Sequence, residues 1–188
     1  FAGVIIAEST SGSFNIAAVR LIVDEVNRHP GFLFAVQMNK RGLSVSDPTA
    51  KLISDLNFAA SEYFSSPNYL RVNGRPVVFF YDGDITGLDW QSAQSAAPEN
   101  AMFVFRNSIG FSRTASSGAF AWIGSSTSSD PSGLAYLTSF YTKSLSYYPG
   151  KLVTGSAWKG FDDSLASWGK NRKVPQRCGM TWLESVRQ

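Results

Sequence analysis

The sequence predicts an α/β fold built on a parallel sheet. Apolar, β-prone runs alternate with helical patterns about six times along 188 residues. Short connections rich in Pro and Gly lead into the strands, whereas longer polar connections leave them. At 44% hydrophobic residues the chain can bury one sizeable core, and we expect residues 1–188 to form a single domain. This alternation of strands and helices allows either a doubly wound sheet or a (β/α)8 barrel. A barrel would be incomplete, since a full one has eight strands and about 250 residues.

The clearest strand follows a tight turn. Asn73 and Gly74 favour positive φ and reverse the chain between two β-prone runs. Pro76, which has no N–H to donate to a ladder, marks the start of the apolar run 77–81. Such a run is typical of a strand buried on both faces. Tyr81 and Asp82 therefore fall at the carboxyl end of the strand, where α/β folds keep their sites.

Other strands and helices follow in order along the chain. Strands are predicted at residues 4–7, 32–38, 102–106, 119–123 and 152–157. Helices are predicted from Asn15 to the breaker at 29–31, from Asp47 to the breaker at 65–67, at 89–96 and at 134–147, with a last apolar run at 180–186. Asn15 and Asp47 are the expected N-caps, and Pro48 suits the first helical position.

Composition excludes several classes of function. The net charge is +3, and no run of Lys and Arg exceeds two residues, so we expect no nucleic-acid partner. No apolar run approaches the roughly 20 residues of a membrane span, so we expect no membrane partner. Cys178 is the only cysteine and supplies neither an internal disulfide nor a metal-site pattern. We expect no metal and no cofactor.

Carboxylates at strand ends are the candidate catalytic groups. The only histidine, His29, lies in a connection that leads into a strand, which leaves a Ser-His-Asp triad without its base. Two carboxylates about 5 to 10 Å apart can hydrolyse a glycosidic bond. We predict Glu8, Asp82 and Asp162 as catalytic candidates. The alternative for each is a loop carboxylate that caps a helix or faces water.

Aromatic and amide side chains at the same strand ends indicate a sugar ligand. Rings stack on the C–H faces of a sugar, while its hydroxyls need forked polar partners. The predicted substrate-binding residues are Gln37, Asn39, Tyr81, Arg106, Asn107, Trp122, Trp158, Lys159 and Asp163. We expect one cleft to bring together Glu8, Gln37, Tyr81, Arg106, Trp122 and Trp158. The alternative for the two tryptophans is that they close the core beneath the loops.

Two adjacent acids in the loop after the last predicted strand receive different roles. We expect Asp162 to face the site and Asp163 to cap the turn that begins at Ser164.

Several segments resemble bacterial proteins of glycoside hydrolase families 71 and 99. They are YLRVNGRPVVFF at 69–80, FVFRNS at 103–108, GAFAW at 118–122, KGFDDS at 159–164, Asn171–Arg172, and QRCGMTW at 176–182. The resemblance implies a (β/α)8 barrel that acts on α-linked glucans or mannans, with residues 1–6 as its second strand. About six βα units are then present, without the first strand and the last strands.

This sequence departs from the family pattern at two places. Where relatives carry Asp and an aromatic after the strand at 1–6, this chain has Ala7 and Glu8, so Glu8 is a displaced acid. The Trp-Asn-(Asp/Glu)…Glu stretch that carries the acidic pair in relatives is not found before Gln188. The expected protein is extracellular or periplasmic and acts on or binds an oligosaccharide or polysaccharide. The alternatives are a non-catalytic saccharide-binding module, an inactive barrel remnant, or an α/β domain that binds other small molecules.

Overall fold

The computed structural model describes residues 3–7, 16–123, 133–157, 159–167 and 169–187. The strands in chain order are β1 (Gly3–Ala7), β2 (Leu33–Met38), β3 (Arg71–Val72), β4 (Arg75–Phe80), β5 (Met102–Arg106), β6 (Ser116–Phe120), β7 (Leu152–Thr154), β8 (Phe161–Asp162) and β9 (Lys173–Val174). The helices are α1 (Ile16–Asn27), α2 (Lys40–Leu43), α3 (Pro48–Ala59), α4 (Trp90–Ser95), α5 (Leu134–Tyr147) and α6 (Met180–Val186). A π-helical turn, Ala60–Phe64, continues α3, and 3-10 turns cover Pro98–Asn100, Ser108–Ser112 and Arg177–Gly179.

The main sheet is parallel and follows the order of the chain. Its strands lie in the order β1-β2-β4-β5-β6-β7, and each pair of neighbours on this path is parallel. The parallel sheet and the helices between its strands together form a half-barrel. This architecture confirms the predicted incomplete (β/α)8 barrel. The short strand β3 is an addition that pairs antiparallel with β4. A second, two-stranded sheet joins β8 and β9.

The predicted turn between β3 and β4 is confirmed. Asn73 and Gly74 have φ values of 51° and 76°, a conformation that the Asn-Gly pair adopts at little cost. Pro76 lies opposite Arg71 in this hairpin, so the strand already begins at Arg75, one residue before the predicted start at Pro76. The hairpin thereby fixes where β4 enters the sheet.

The two faces of the sheet have separate cores. On the outer face, Phe34, Val78 and Phe103 pack with buried residues of α1 and α3. On the inner face, a cluster that we call the inner layer consists of Ala35, Val77, Phe79, Val104 and Phe120. Because side chains alternate along a strand, Gln37, Tyr81 and Arg106 lie on the inner face, two residues beyond Ala35, Phe79 and Val104.

Helix caps follow the sequence more closely than strand ends do. Asp47 accepts a hydrogen bond from the Ala50 N–H at 2.9 Å, and Pro48 is the first residue of α3, as predicted. The strand expected at 119–123 is wrong in its bounds, because β6 covers Ser116–Phe120. The first residues of β6 are Ser and Gly, which are not typical of a strand and so gave no signal in the sequence. Gly118 is needed there, because a Cβ at this position would lie 2.2 Å from the Leu152 carbonyl oxygen of β7. The expected cap Asn15 lies outside the described residues.

None of the helices in the described ranges is long and apolar enough to cross a membrane.

Candidate functional site

A polar cleft opens where the loops leave the carboxyl ends of β2, β4 and β5. Its volume is about 320 Å³. The residues that line it are Lys40, Tyr81, Asp82, Gly83, Asp84, Arg106, Asn107, Ile109 and Arg113. We call this space the cleft. Its position at the strand carboxyl ends is where a (β/α)8 barrel carries its site.

One cation and two rings are in contact at the edge of the cleft: Arg106 and Tyr81 line it, and Trp122 lies beside them. The Arg106 Cζ lies 3.9 Å from the centroid of the Tyr81 ring. Tyr81 meets Trp122 edge to face, with 4.9 Å between ring centroids, and Trp122 remains 44% exposed. Trp122 also meets Phe120 of the inner layer edge to face, with 6.4 Å between the ring centroids. Trp122 is therefore held on the inner layer through Phe120 while part of its ring remains open to solvent.

The loop after β4 is held by several hydrogen bonds. Asp82 accepts one from the Lys40 N–H at 3.0 Å, which ties the ends of β2 and β4 together. Arg113 donates to the Gly83 carbonyl at 2.9 Å and pairs with Asp84 at 3.0 Å. These contacts hold the loop and orient the Asp82 carboxylate, whereas the Asp84 side chain is 92% exposed.

Asn107 joins the cleft to helix α5. Its side-chain oxygen accepts a hydrogen bond from the Tyr136 hydroxyl at 2.8 Å, and that hydroxyl accepts one from the Trp122 N–H at 2.9 Å. Burial raises the pKa of Tyr136, although the Trp122 hydrogen bond and the Arg106 charge oppose this effect. The phenol consequently stays protonated at neutral pH and keeps donating to Asn107.

Lys159 and Asp162 lie in a different groove, with a volume of about 630 Å³, that shares no lining residue with the cleft. Asp162 accepts hydrogen bonds from the Ser164 N–H at 2.9 Å and the Ser164 hydroxyl at 2.6 Å. The side-chain bond from Ser164 is the main cause that lowers the pKa of Asp162. Asp162, rather than Asp163, therefore caps this turn, and our assignment of the cap to Asp163 is wrong.

Asp163 is buried and ion-paired. Its carboxylate has 0% exposure and lies 2.6 Å from the Arg172 Nη2. It also accepts hydrogen bonds from the Arg172 N–H and Nε–H and from the Lys170 N–H. Asp162 and Asp163 point in opposite directions, and the local sequence does not show which of them turns inward. The contact with Arg172 holds Asp163 inward and leaves Asp162 to cap the turn.

The structure brings together some of the predicted site residues and separates others. Those that line the cleft are Tyr81, Asp82, Arg106 and Asn107, with Trp122 beside them. Gln37 is half-buried on the inner face of β2 and does not line the cleft. Asn39 caps α2 by accepting from the Arg41 N–H at 3.0 Å. Glu8 and Trp158 lie outside the described residues.

Sequence reasoning missed Lys40, Arg113 and Tyr136. Lys40 and Arg113 belong to connections that leave strands, so the rule that selected the other candidates could have found them. Tyr136 follows the helical pattern of α5, and no local signal marks it as a partner of Asn107. Among the residues that the structure describes, no group of three or more His, Cys, Asp or Glu side chains is placed to hold a metal ion.

No protein-family model and no curated protein matches this sequence. Two solved structures of the GH99 endo-α-mannosidase from Bacteroides thetaiotaomicron, one of them with BIS-TRIS-propane, superpose on 99% of the chain with TM-scores of 0.75 and 0.74. The chain has a GH99-like fold. Sequence identity to both is 14%, and the chain covers 57% and 61% of their lengths, less than two thirds of either. This GH99-like fold matches the barrel that the quoted segments imply.

Proposed function

We propose that this chain is a carbohydrate-active, glycoside hydrolase-like protein whose cleft binds an α-linked glucan or mannan oligosaccharide. The observation that carries the proposal is the Tyr81 and Trp122 ring pair, edge to face at 4.9 Å, beside Arg106 at the carboxyl ends of the barrel strands. The GH99-like fold supports it, because the two structural neighbours are named as endo-α-mannosidases.

The polar groups of the cleft suit the hydroxyls of a sugar. Asp82 and Asn107 offer oxygen acceptors and Lys40 and Arg106 offer donors in the cleft, and the partly exposed Trp122 ring lies beside it against Tyr81. A sugar needs an apolar surface under its C–H groups and polar groups around its edge. The cleft provides both within about 320 Å³, space for one or two sugar rings rather than for a long polymer segment.

Catalysis is the finer part of the proposal. Of the three predicted catalytic carboxylates, Asp82 lines the cleft and accepts a hydrogen bond from the Lys40 N–H. We assign it the role of base or nucleophile, with Glu8 as the candidate acid. Asp162 suits a general acid poorly, because its lowered pKa runs opposite to what that role needs. This observation favours a non-catalytic saccharide-binding module as the second candidate. For either function we propose an extracellular or periplasmic location.

The binding test is a titration with α-1,3-gluco-oligosaccharides and α-manno-oligosaccharides, followed by calorimetry and tryptophan fluorescence. Trp122→Ala and Tyr81→Ala should each weaken binding at least about tenfold, since about 1.4 kcal/mol of lost ring contact changes Kd by that factor. Tyr147→Ala is the control, because Tyr147 is 72% exposed on α5 and does not line the cleft. Parent-like affinity in both cleft variants contradicts the proposal.

The catalytic test is the release of reducing sugar from the same glycans. Release by the parent that Asp82→Asn abolishes, while oligosaccharide binding persists, supports hydrolysis. Binding without any release by the parent supports the saccharide-binding module instead.

A further inference from the structure

We infer that the cleft selects oligosaccharides that carry a ring carboxylate, a uronate, and that Arg106 binds this carboxylate. The inference rests on the saccharide-binding part of the proposed function and changes its ligand: the oligosaccharide that the cleft prefers carries an acidic sugar, and neutral glucose and mannose units bind there more weakly.

The first observation is the unused hydrogen-bonding edge of Arg106. Its guanidinium carbon lies 3.9 Å from the Tyr81 centroid, so the ring occupies one flat face of the group. The N–H groups point outward in the plane of the guanidinium, and stacking leaves them available. Within the described ranges, no carboxylate and no carbonyl accepts a hydrogen bond from Arg106, although its side chain is half-buried in the cleft wall.

The second observation is the contrast with the neighbouring arginine. Arg113 donates to the Gly83 carbonyl and pairs with the Asp84 carboxylate. Its charge and part of its donor set are therefore engaged by the protein itself. Arg106 lies in the same cleft, and among the residues that the structure describes its side chain is held by the Tyr81 ring. A guanidinium that is pre-positioned by stacking and has open N–H edges suits a planar, bidentate carboxylate.

The third observation is the charge of the cleft. Three cations, Lys40, Arg106 and Arg113, face two carboxylates, Asp82 and Asp84. One positive charge remains, which a single carboxylate neutralises. A phosphate near its dianionic form would leave the cleft negative and would meet repulsion from Asp82 and Asp84. The charge therefore favours a uronate over a sugar phosphate.

The arrangement also places the carboxylate relative to the sugar. Trp122 presents its exposed ring beside Tyr81, and Arg106 lies against the same Tyr81 ring. A pyranose stacked on the aromatic pair would project its exocyclic carboxylate from the ring edge, toward a donor that lies beside the stack. A neutral hexose would place a hydroxymethyl group there and would use one donor of Arg106 at most.

The test compares α-1,4-trigalacturonate with its methyl ester, two probes that differ in charge and not in the sugar ring. The parent should bind the acid about tenfold or more tightly than the ester, which corresponds to about 1.4 kcal/mol. This preference should weaken as salt screens the charge. Arg106→Gln should bind both probes equally. Arg106→Lys should retain part of the preference, because a lysine supplies charge without the bidentate fork.

Arg28→Gln is the matched control. Arg28 lies in the connection from α1 to β2, at the opposite end of the strands from the cleft, and its exposed side chain pairs with Glu25 of α1. Its preference should equal that of the parent. Thermal melts of the two Arg106 variants separate lost recognition from lost folding, and binding of the methyl ester checks the site itself.

Three outcomes overturn the inference. Equal binding of acid and ester by the parent overturns it while the proposed function stands, provided that neutral gluco- or manno-oligosaccharides bind. Failure of every oligosaccharide to bind overturns both. Tighter binding of mannotriose 6-phosphate than of trigalacturonate contradicts the charge argument and with it the assignment to a uronate.

Discussion

Two parts of the chain are held together by different forces. The main sheet and its flanking helices enclose apolar cores, and in the outer one Phe34, Val78, Phe80 and Phe103 have almost no exposed surface. From residue 159 onward, the buried side chains of the described residues are polar, namely Asp163, Thr181 and Ser185. This second part, which we call the C-terminal segment, contains the ion pairs of Asp163 with Arg172 and of Glu184 with Arg177.

The difference teaches where each kind of perturbation will act. Burial of apolar surface does not depend on protonation, and it responds to lost volume. Ion pairs and hydrogen bonds respond to protonation, and a buried pair is costly to break because the remaining charge has no partner. The strands of the sheet should therefore tolerate changes of charge, whereas the C-terminal segment, like the buried Lys51–Asp55 pair of α3, should not.

The largest effect is expected for Phe80→Ala. Phe80 is 0% exposed, and its ring lies 5.0 Å from Trp90, 4.8 Å from Phe103 and 5.3 Å from Phe105. Truncation should lower the free energy of unfolding by about 3 to 5 kcal/mol, measured by urea denaturation, because the neighbours cannot fill the space. Leu145→Ala, at a side chain that is 79% exposed, should stay within about 0.5 kcal/mol of the parent. Equal losses in the two variants would remove the basis of the comparison.

The next effect is expected for Asp163→Asn, which leaves the Arg172 guanidinium without its buried partner. Amide hydrogen exchange should become faster in residues 159–174 and stay unchanged in β4 and β5. Asp24→Asn, on the exposed face of α1, is the control and should change neither region.

Acidification of the parent should produce the same local loosening. Burial raises the pKa of Asp163, but the hydrogen bonds from Arg172 and Lys170 together outweigh it and lower the pKa below the ordinary 3.8. The stabilisation is therefore complete above pH 3.8 and is lost as the pH falls through the lowered folded value. Exchange that accelerates in the sheet first would contradict this expectation.

The smallest effect is expected for Asp47→Ala at the start of α3. The variant loses the hydrogen bond that Asp47 accepts from the Ala50 N–H at 2.9 Å. The cost should be about 1 kcal/mol in urea denaturation, a typical value for an N-cap. Asp47→Ser should recover most of it, since a serine oxygen can accept the same bond. A loss as large as that of Phe80→Ala would show that the sheet region depends on its polar contacts after all.

The sequence predicts the part of the site that depends on strand ends. Tyr81, Asp82, Arg106 and Asn107 could be assigned to one cleft because the period of two and the common direction of parallel strands place them at one edge. These are local properties of the sequence, so they can be predicted without knowing which distant residues pack against them.

Loop geometry is the part that the sequence does not predict. The inward turn of Asp163 depends on Arg172, which lies beyond the intervening turn, and Asn107 depends on Tyr136, 29 residues later. Asn39 has the position of a ligand-binding residue, yet it caps α2. In each case the sequence allows the polar side chain more than one suitable hydrogen-bonding partner, and tertiary packing determines which one it contacts.

Because the sheet is wound in chain order, every parallel pair joins strands that follow one another along the main sheet. The entropy cost of closing each connection grows slowly with its length, by about 0.6 kcal/mol for each doubling. β1 and β2 can pair before β4 is available, and each later strand finds its neighbour already in place. Assembly can therefore keep pace with synthesis of the chain from its amino end, with each new unit docking on the one before it.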